Sequence, residues 1–192
     1  MGDNKSSYDL NIWKDFIFIR HAQTSWDYKD ILDGIQDLKL NDIGRKQAEH
    51  AYSIVTKHIT IRDPIIYSSP LQRASETATI FVNYLLQKTM ITKIDGLQER
   101  YYGDYSKAEQ QDLFNYLPDD AESTDMFKKR IYESLILIFK NNQHNSTLII
   151  FSHQKVFEFL AQWLCNKNLK LDHGGICYFK YRDGGYISEI LL

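Results

Sequence analysis

Three short runs constrain this chain more than anything else in it: Phe16-Ile17-Phe18-Ile19, Pro64-Ile65-Ile66-Tyr67 and Thr147-Leu148-Ile149-Ile150-Phe151. Each is apolar almost throughout rather than alternating, the mark of a strand buried on both faces. Between them the apolar residues fall at helical spacing. Ala48, Ala51, Tyr52 and Val55 follow the turn signal Asn41-Asp42-Ile43-Gly44, and Ala74, Ala78, Phe81, Val82 and Leu85 form a second stripe. Phe127, Ile131, Ser134, Leu135 and Ile138 form a third behind Thr124, read as its cap. Val156, Phe157, Leu160, Trp163 and Leu164 form a fourth. Residues 90–94 read as another strand, and residues 176–181 and 186–191 as a closing pair turned by Asp183-Gly184-Gly185. Strands alternating with helices predict an α/β fold, a three-layer α/β/α sandwich with a mostly parallel central sheet and an antiparallel edge strand. A chain of 192 residues that is 43% hydrophobic suits one core. The expectation is a single domain over residues 15–192 behind a flexible polar tail over residues 1–14.

A net charge of -2 offers no basic face for nucleic acid and no polybasic stretch for an anionic membrane. No apolar run is long enough to span a bilayer, and the opening MGDNKSSYD is too polar for a signal peptide. Gly2 and Ser6 fit a loose myristoylation pattern, but the acidic Asp3 directly after the glycine fits it poorly. Cys165 and Cys177 lack C-x-x-C spacing and read as reduced thiols of a cytoplasmic protein. Monomer and homodimer are equally compatible with the sequence.

In open parallel sheets, functional groups gather at the carboxyl ends of strands beside helix N-termini. Here one strand ends in Arg20-His21, another in Ser68-Ser69-Pro70-Leu71-Gln72-Arg73, and a third in Ser152-His153. Two arginines and two histidines converging on one edge are what a bound phosphoryl group requires. Each has an ordinary alternative. A strand-end histidine is more often structural, Arg73 can pair with Glu76, and Glu99 can be a solvated loop carboxylate. His50, His58 and His144 read as solvated, while His173, before Gly174-Gly175, could edge the pocket.

Order and surroundings decide between these readings. Arg20-His21-Ala22-Gln23-Thr24, followed by Leu40-Asn41-Asp42-Ile43-Gly44-Arg45-Lys46-Gln47-Ala48, resembles the opening of the histidine phosphatase superfamily, the phosphoglycerate mutase-like family. Ser68-Ser69-Pro70-Leu71-Gln72-Arg73-Ala74-Ser75-Glu76-Thr77-Ala78 is similar to that family's second block. Leu97-Gln98-Glu99-Arg100-Tyr101-Tyr102-Gly103 resembles the third and Ile150-Phe151-Ser152-His153 the fourth, in the family's order. The resemblance implies a phosphomonoester hydrolase in which His21 takes the phosphoryl group as a phosphohistidine. It implies that Arg20 and Arg73 clamp the non-bridging oxygens and that His153 donates to them, most effectively as a cation. Glu99 would be general acid and then base. Thr24 would line the pocket floor. With positive side chains supplying the charge, the resemblance implies no metal and no cofactor, and a small phosphorylated substrate, with a phosphoprotein also open.

The chain departs from the family's pattern at several points. Ala22 replaces a usual glycine. Asp27 stands where asparagine is common and Asp33, before Gly34, where a neutral residue is common. Gln154 and Lys155 follow His153 where glycine is common, placing a bulkier group at the pocket wall. Two extra carboxylates beside a phosphate at partly solvated distances would each cost about 1 kcal/mol. Asp27, Gly34 and Gln154 are therefore expected among the phosphate-binding residues that shape substrate choice. Glu99-Arg100-Tyr101-Tyr102-Gly103 is similar to the mutase form of the third block, in which Arg100 and Tyr102 touch substrate. A mutase of that kind carries a long insertion afterwards, with arginines for a second phosphate, and here only the short acidic stretch 110–122 follows. Phosphatase is the favoured reading; a mutase-type transfer and a weakly active or inactive phosphate-binding module are the alternatives.

Overall fold

A computed structural model describes residues 13–25, 37–86, 88–103, 119–142 and 146–192. Six strands form one sheet in the order β3-β2-β4-β1-β5-β6, with β1 Phe16–Arg20, β2 Ile65–Ser68, β3 Ile91–Lys93, β4 Leu148–Ser152, β5 Ile176–Arg182 and β6 Gly185–Ile190. The pairs β1–β4, β4–β2 and β2–β3 are parallel. The antiparallel part is the closing pair: β5 runs against β1, and β6 against β5. Asp183 and Gly184 link the last two strands with φ of 51° and 80°. Two successive positive φ values are what a two-residue hairpin turn of matching twist needs.

The apolar runs are explained by what lies on either side of the sheet. Along β1, Phe16 and Phe18 enter one core with residues of α3 (Thr124–Lys140) and α4 (Gln154–Cys165), such as Ile131, Leu135, Val156 and Leu160. The alternate residues Ile17 and Ile19 enter a second core with Ala51 and Val55 of α1 (Asp42–His58) and Ala78 and Phe81 of α2 (Gln72–Asn83). A strand with helices on both faces has no solvated side, so alternation disappears. Each fully buried Phe or Ile contributes on the order of 1.5–3 kcal/mol. The three-layer α/β/α expectation holds.

Local differences have local causes. Ser123, not Thr124, caps α3: its side chain accepts from the Met126 amide. The stripe through Leu85 overruns α2, which ends at Asn83. The N-terminal boundary is also earlier than residue 15. Trp13 packs its indole against Phe139, Trp163, Tyr181 and Tyr186, and the Lys14 backbone exchanges hydrogen bonds with the Tyr186 hydroxyl. Residues 1–12 of the expected tail lie outside the described residues.

Gly44 shows how closely α1 is set against the loop that follows β1. Asn41 caps this helix by accepting from the Gly44 amide at 2.7 Å, and its side-chain amide donates to the Thr24 carbonyl at 2.8 Å. A Cβ at Gly44 would stand 2.0 Å from the Gln23 carbonyl oxygen, a backbone atom with no rotamer to yield. Gly44→Ala should therefore destabilise the protein by about 2 kcal/mol or more, in the range of core overpacking. Urea unfolding of the two proteins side by side checks this.

Candidate active site

The parallel register brings three strand ends level. Arg20 pairs with Ser152 across β1 and β4, and Ser68 with Phe151 across β2 and β4. The ladder continues one residue past the strands, with the His21 amide donating to the Ser152 carbonyl at 2.9 Å and the Ser69 amide to the Phe151 carbonyl at 2.9 Å. His21, Ser69 and His153 therefore emerge side by side, all buried. The His21 and His153 rings are 5.2 Å apart between centroids.

His21 contacts the Ala22 carbonyl through Nδ1 at 2.9 Å. A carbonyl only accepts, so Nδ1 carries the proton and Nε2 of the neutral ring carries the lone pair. The loop bearing it is tied to α2, because the Ala22 amide donates to the Thr77 hydroxyl and that hydroxyl donates to the Arg73 carbonyl. Arg73, in the first turn of α2, has no solvent exposure (0%). Glu76, its conceivable partner, accepts instead from Arg45 Nε and the Leu40 amide. Thr24 is buried where the same loop bridges Leu40.

His153 contacts the Ser69 hydroxyl through Nε2 at 2.8 Å, and its Nδ1 has no hydrogen-bond partner among the described residues. Burial holds this imidazole well below its usual protonation range, and the nearby Arg73, Arg20 and Arg130 cations act in the same direction. Without a bound anion, burial first and the arginine cations second therefore oppose the charged form of this ring.

Glu99 is buried on the loop after the 3₁₀ turn Asp95–Leu97. Its carboxyl accepts from the Arg100 amide at 2.9 Å and from the Lys155 amide, in the first turn of α4, at 3.3 Å. Burial raises its pKa above the carboxylate norm despite those amides and the opposing pull of Arg73 and Arg20. The buried Tyr102 phenol is shifted upward by burial and then by Glu99. One sheet end therefore holds an imidazole whose Nδ1 faces a backbone carbonyl, a carboxyl biased toward its acid form, and two guanidiniums.

Not every expected residue is directed there. Arg100 donates to the Glu122 carbonyl at 3.3 Å and the Thr124 hydroxyl at 3.1 Å, with its guanidinium over the Tyr102 and Phe127 rings. Gln154 is not simply pocket wall: it accepts from the Leu171 amide at 3.2 Å and donates to Glu158 at 3.1 Å. Asp27, Asp33 and Gly34 lie outside the described residues, as does His144. His50 and His58 are exposed, as expected.

His173 belongs with the site. Arg20 Nη2 meets His173 Nε2 at 2.6 Å, Arg20 Nη1 donates to the Leu171 carbonyl at 2.7 Å, and the His173 ring is 5.5 Å from that of His21. The cause is topological. Because β5 runs antiparallel to β1, the loop entering β5 starts where β1 ends, and the Gly174 amide donates to the His21 carbonyl there. The sequence signal was the position of His173 just before Gly174-Gly175. Among the described residues, no group of three or more His, Cys, Asp or Glu side chains could hold a metal ion. No helix among them is long and apolar enough to cross a membrane.

A three-layer sandwich with His21, His153, Arg20 and Arg73 gathered where its parallel strands end narrows the class, and comparison with known proteins assigns it. The model of the histidine phosphatase superfamily (branch 1) matches residues 16–189, and the chain belongs to that family. It is 33% identical over 107 residues to phosphoglycerate mutase-like protein 4 of Arabidopsis thaliana, over 56% of this chain and 45% of that one. It is 35% identical over 91 residues to the 2,3-bisphosphoglycerate-dependent phosphoglycerate mutase of Bartonella henselae, over 47% of this chain and 44% of that one. The matched stretch thus spans less than half the length of either relative. Among solved structures, phosphoserine phosphatase of Entamoeba histolytica, in complex with 3-phosphoglyceric acid, superimposes with a TM-score of 0.75 at 24% identity. That match covers 93% of this chain and 96% of that one, and it is a likeness of fold.

The Glu99 environment has a measurable consequence. A carboxyl with a raised pKa in the folded state imposes no penalty at low pH, where both states are protonated. It destabilises the fold as pH rises above the unfolded value of 4.5. The stability difference between Glu99→Gln and the parent should therefore shift in favour of the variant as pH climbs from about 4 toward 7. Urea unfolding across that range measures it; a pH-independent difference would contradict the raised pKa.

Proposed function

We propose that this protein is a phosphomonoester hydrolase that works through a phosphohistidine on His21. The observation that most supports this reading is the gathering at one sheet end of His21 beside His153 and of an acid-biased Glu99, with Arg20 and Arg73 acting on both His153 and Glu99. His21 Nε2 attacks phosphorus, the N–P bond forms and the ester P–O bond breaks. Glu99 gives its proton to the departing alkoxide. Glu99, now a carboxylate, takes a proton from water as that water attacks phosphorus. The N–P bond breaks, releasing phosphate and returning both side chains to their starting forms. Arg20 and Arg73 hold the non-bridging oxygens throughout, which is most of what phosphoryl transfer asks of a protein. The negative charge of the phosphoryl group opposes the arginine field on His153, so that ring donates an N–H to the same oxygens.

The substrate class is a small phosphorylated metabolite, which accords with the 3-phosphoglyceric acid bound by the amoebal phosphatase. The second reading, mutase-type transfer, draws on the 35% identity to a phosphoglycerate mutase. The short stretch 110–122 argues against it, because it leaves little chain to hold a second phosphate.

Phosphate release from a panel of phosphomonoesters, with chelator present, tests the proposal. Because arginines meet the phosphoryl charge, release should survive chelation, and His21→Ala should lower it by about 10³-fold or more while abolishing acid-labile labelling from a phosphodonor. Isomerisation of 3-phosphoglycerate without net phosphate release would favour the mutase, and no turnover of any ester would favour a binding module. His173→Ala, which removes the acceptor at Arg20 Nη2, should lower kcat/KM by about tenfold, the scale of one charge-assisted hydrogen bond. Steady-state kinetics on the best ester of the panel measures this.

A further inference from the structure

Arg130 lies in the second turn of α3 and divides its donors between the loop that carries Glu99 and the Glu122 carboxylate. Nη1 donates to the carbonyls of Gly96 at 2.9 Å and Gln98 at 2.8 Å. Nη2 donates to the Glu99 carbonyl at 3.0 Å and to Glu122 Oε2 at 2.8 Å, and Nε to Glu122 Oε1 at 2.5 Å. A guanidinium has five N–H groups, and all five are used. The carbonyl skipped in this series, Leu97, accepts from the Ser152 hydroxyl at the end of β4 at 2.6 Å. Four consecutive carbonyls, from residue 96 to residue 99, are therefore fixed from two sides, one by a helix and one by the central sheet.

The contact is close as well as fully bonded. A Cβ at Gly96 would stand 1.9 Å from Ser134 Oγ and 2.9 Å from the Arg130 carbonyl oxygen, so the loop backbone lies directly on α3. Glu122 accepts the forked pair from Arg130 and is itself tied to the far end of the loop. Its amide donates to the Tyr101 carbonyl at 2.9 Å, and its carboxylate accepts from the Tyr101 amide at 3.4 Å. Both partners are largely shielded from water, with side-chain exposures of 24% and 12%.

We infer that the Arg130–Glu122 pair is a positioning device for the general acid: it sets where the Glu99 carboxyl stands relative to the leaving oxygen of the substrate. This inference rests on the phosphatase reading above. Neither residue touches the reacting atoms. The loop's main chain fixes the Glu99 Cα, and the Arg100 and Lys155 amides then aim its carboxyl. Displacing the Arg130 fork releases three of the four carbonyls that locate that Cα. A proton donor must lie within hydrogen-bond reach of the departing oxygen, so a shift of about 1 Å costs acid catalysis before it costs phosphate binding.

The test uses the dependence on the leaving group. p-Nitrophenolate departs from phosphorus with little need of a proton, whereas an alkoxide needs one. kcat/KM reports the steps through alcohol release, and so isolates the acid role of Glu99 from its later role as base. The substrates are p-nitrophenyl phosphate and the alkyl phosphate turned over fastest in the panel. Glu99→Gln serves as the reference and should lower kcat/KM for the alkyl ester at least about tenfold more than for the aryl ester. Arg130→Lys keeps the charge and loses the fork; Glu122→Gln keeps the shape and loses the charge. Each should shift the alkyl-to-aryl ratio in the same direction, by about three- to tenfold, a fraction of the full general-acid effect. Equal losses on both esters in the two variants, or unchanged ratios, would overturn the positioning role and leave a purely structural ion pair. A ratio unmoved by Glu99→Gln, or a parent protein that cleaves neither ester, would instead remove the phosphatase reading, and the inference with it. Should Arg130→Lys fail to fold, Glu122→Gln alone decides, since it keeps the side chain's size while removing its charge and one of the two acceptors of the fork.

Discussion

The parallel pairing of β1, β4 and β2 is the constraint on which the rest of the site depends. Register puts Arg20 level with Ser152 and Ser68 level with Phe151, so the residues just beyond leave the sheet together. A slip of one residue in any of these strands would turn its side chains to the opposite face and exchange the two apolar cores. The same apolar residues that bury the sheet therefore place two histidines from distant parts of the chain 5.2 Å apart. Core packing and site geometry are one constraint here.

Charge at that sheet end is arranged against solvation. Arg73 is removed from water altogether, and Arg20 is held by the Leu171 carbonyl and His173. Burying guanidiniums is costly unless hydrogen bonds and opposite charge accompany them. The neighbouring groups respond in the direction that limits further expense: burial, and then the arginines, oppose a charged His153, and burial biases Glu99 toward its acid form. A field of this sign favours an anionic group over a cationic or neutral one.

Much of this was legible in the chain. The unalternating strands announced helices on both faces, and the strand-end residues Arg20, His21, Arg73 and His153 were identifiable from the blocks around them. Arg130 was not, because a polar residue on an amphipathic helix looks the same whether it meets solvent or a loop from 34 residues upstream. Arg100 and Gln154 were assigned to the pocket by alignment with a pattern, yet their side chains find partners in Glu122 and Leu171 that no linear motif encodes. The downward shift of His153 was equally invisible in the chain, because it comes first from burial and then from nearby cations, and both exist only once the chain is folded.

The sequence by itself determined the layers, the order of the strands and helices along the chain, and the family, because burial on two faces and ordered motif blocks are written in residue type and spacing. Tertiary structure alone decided which side chains meet. The reversal of β5 against β1 brought His173 onto Arg20, and the contact of α3 with the 3₁₀ turn brought Arg130 onto the carbonyls behind Glu99. Both are long-range contacts whose partners are chosen by strand direction and helix placement. Periodicity reports which face of an element is buried, and carries no information about what that face will touch.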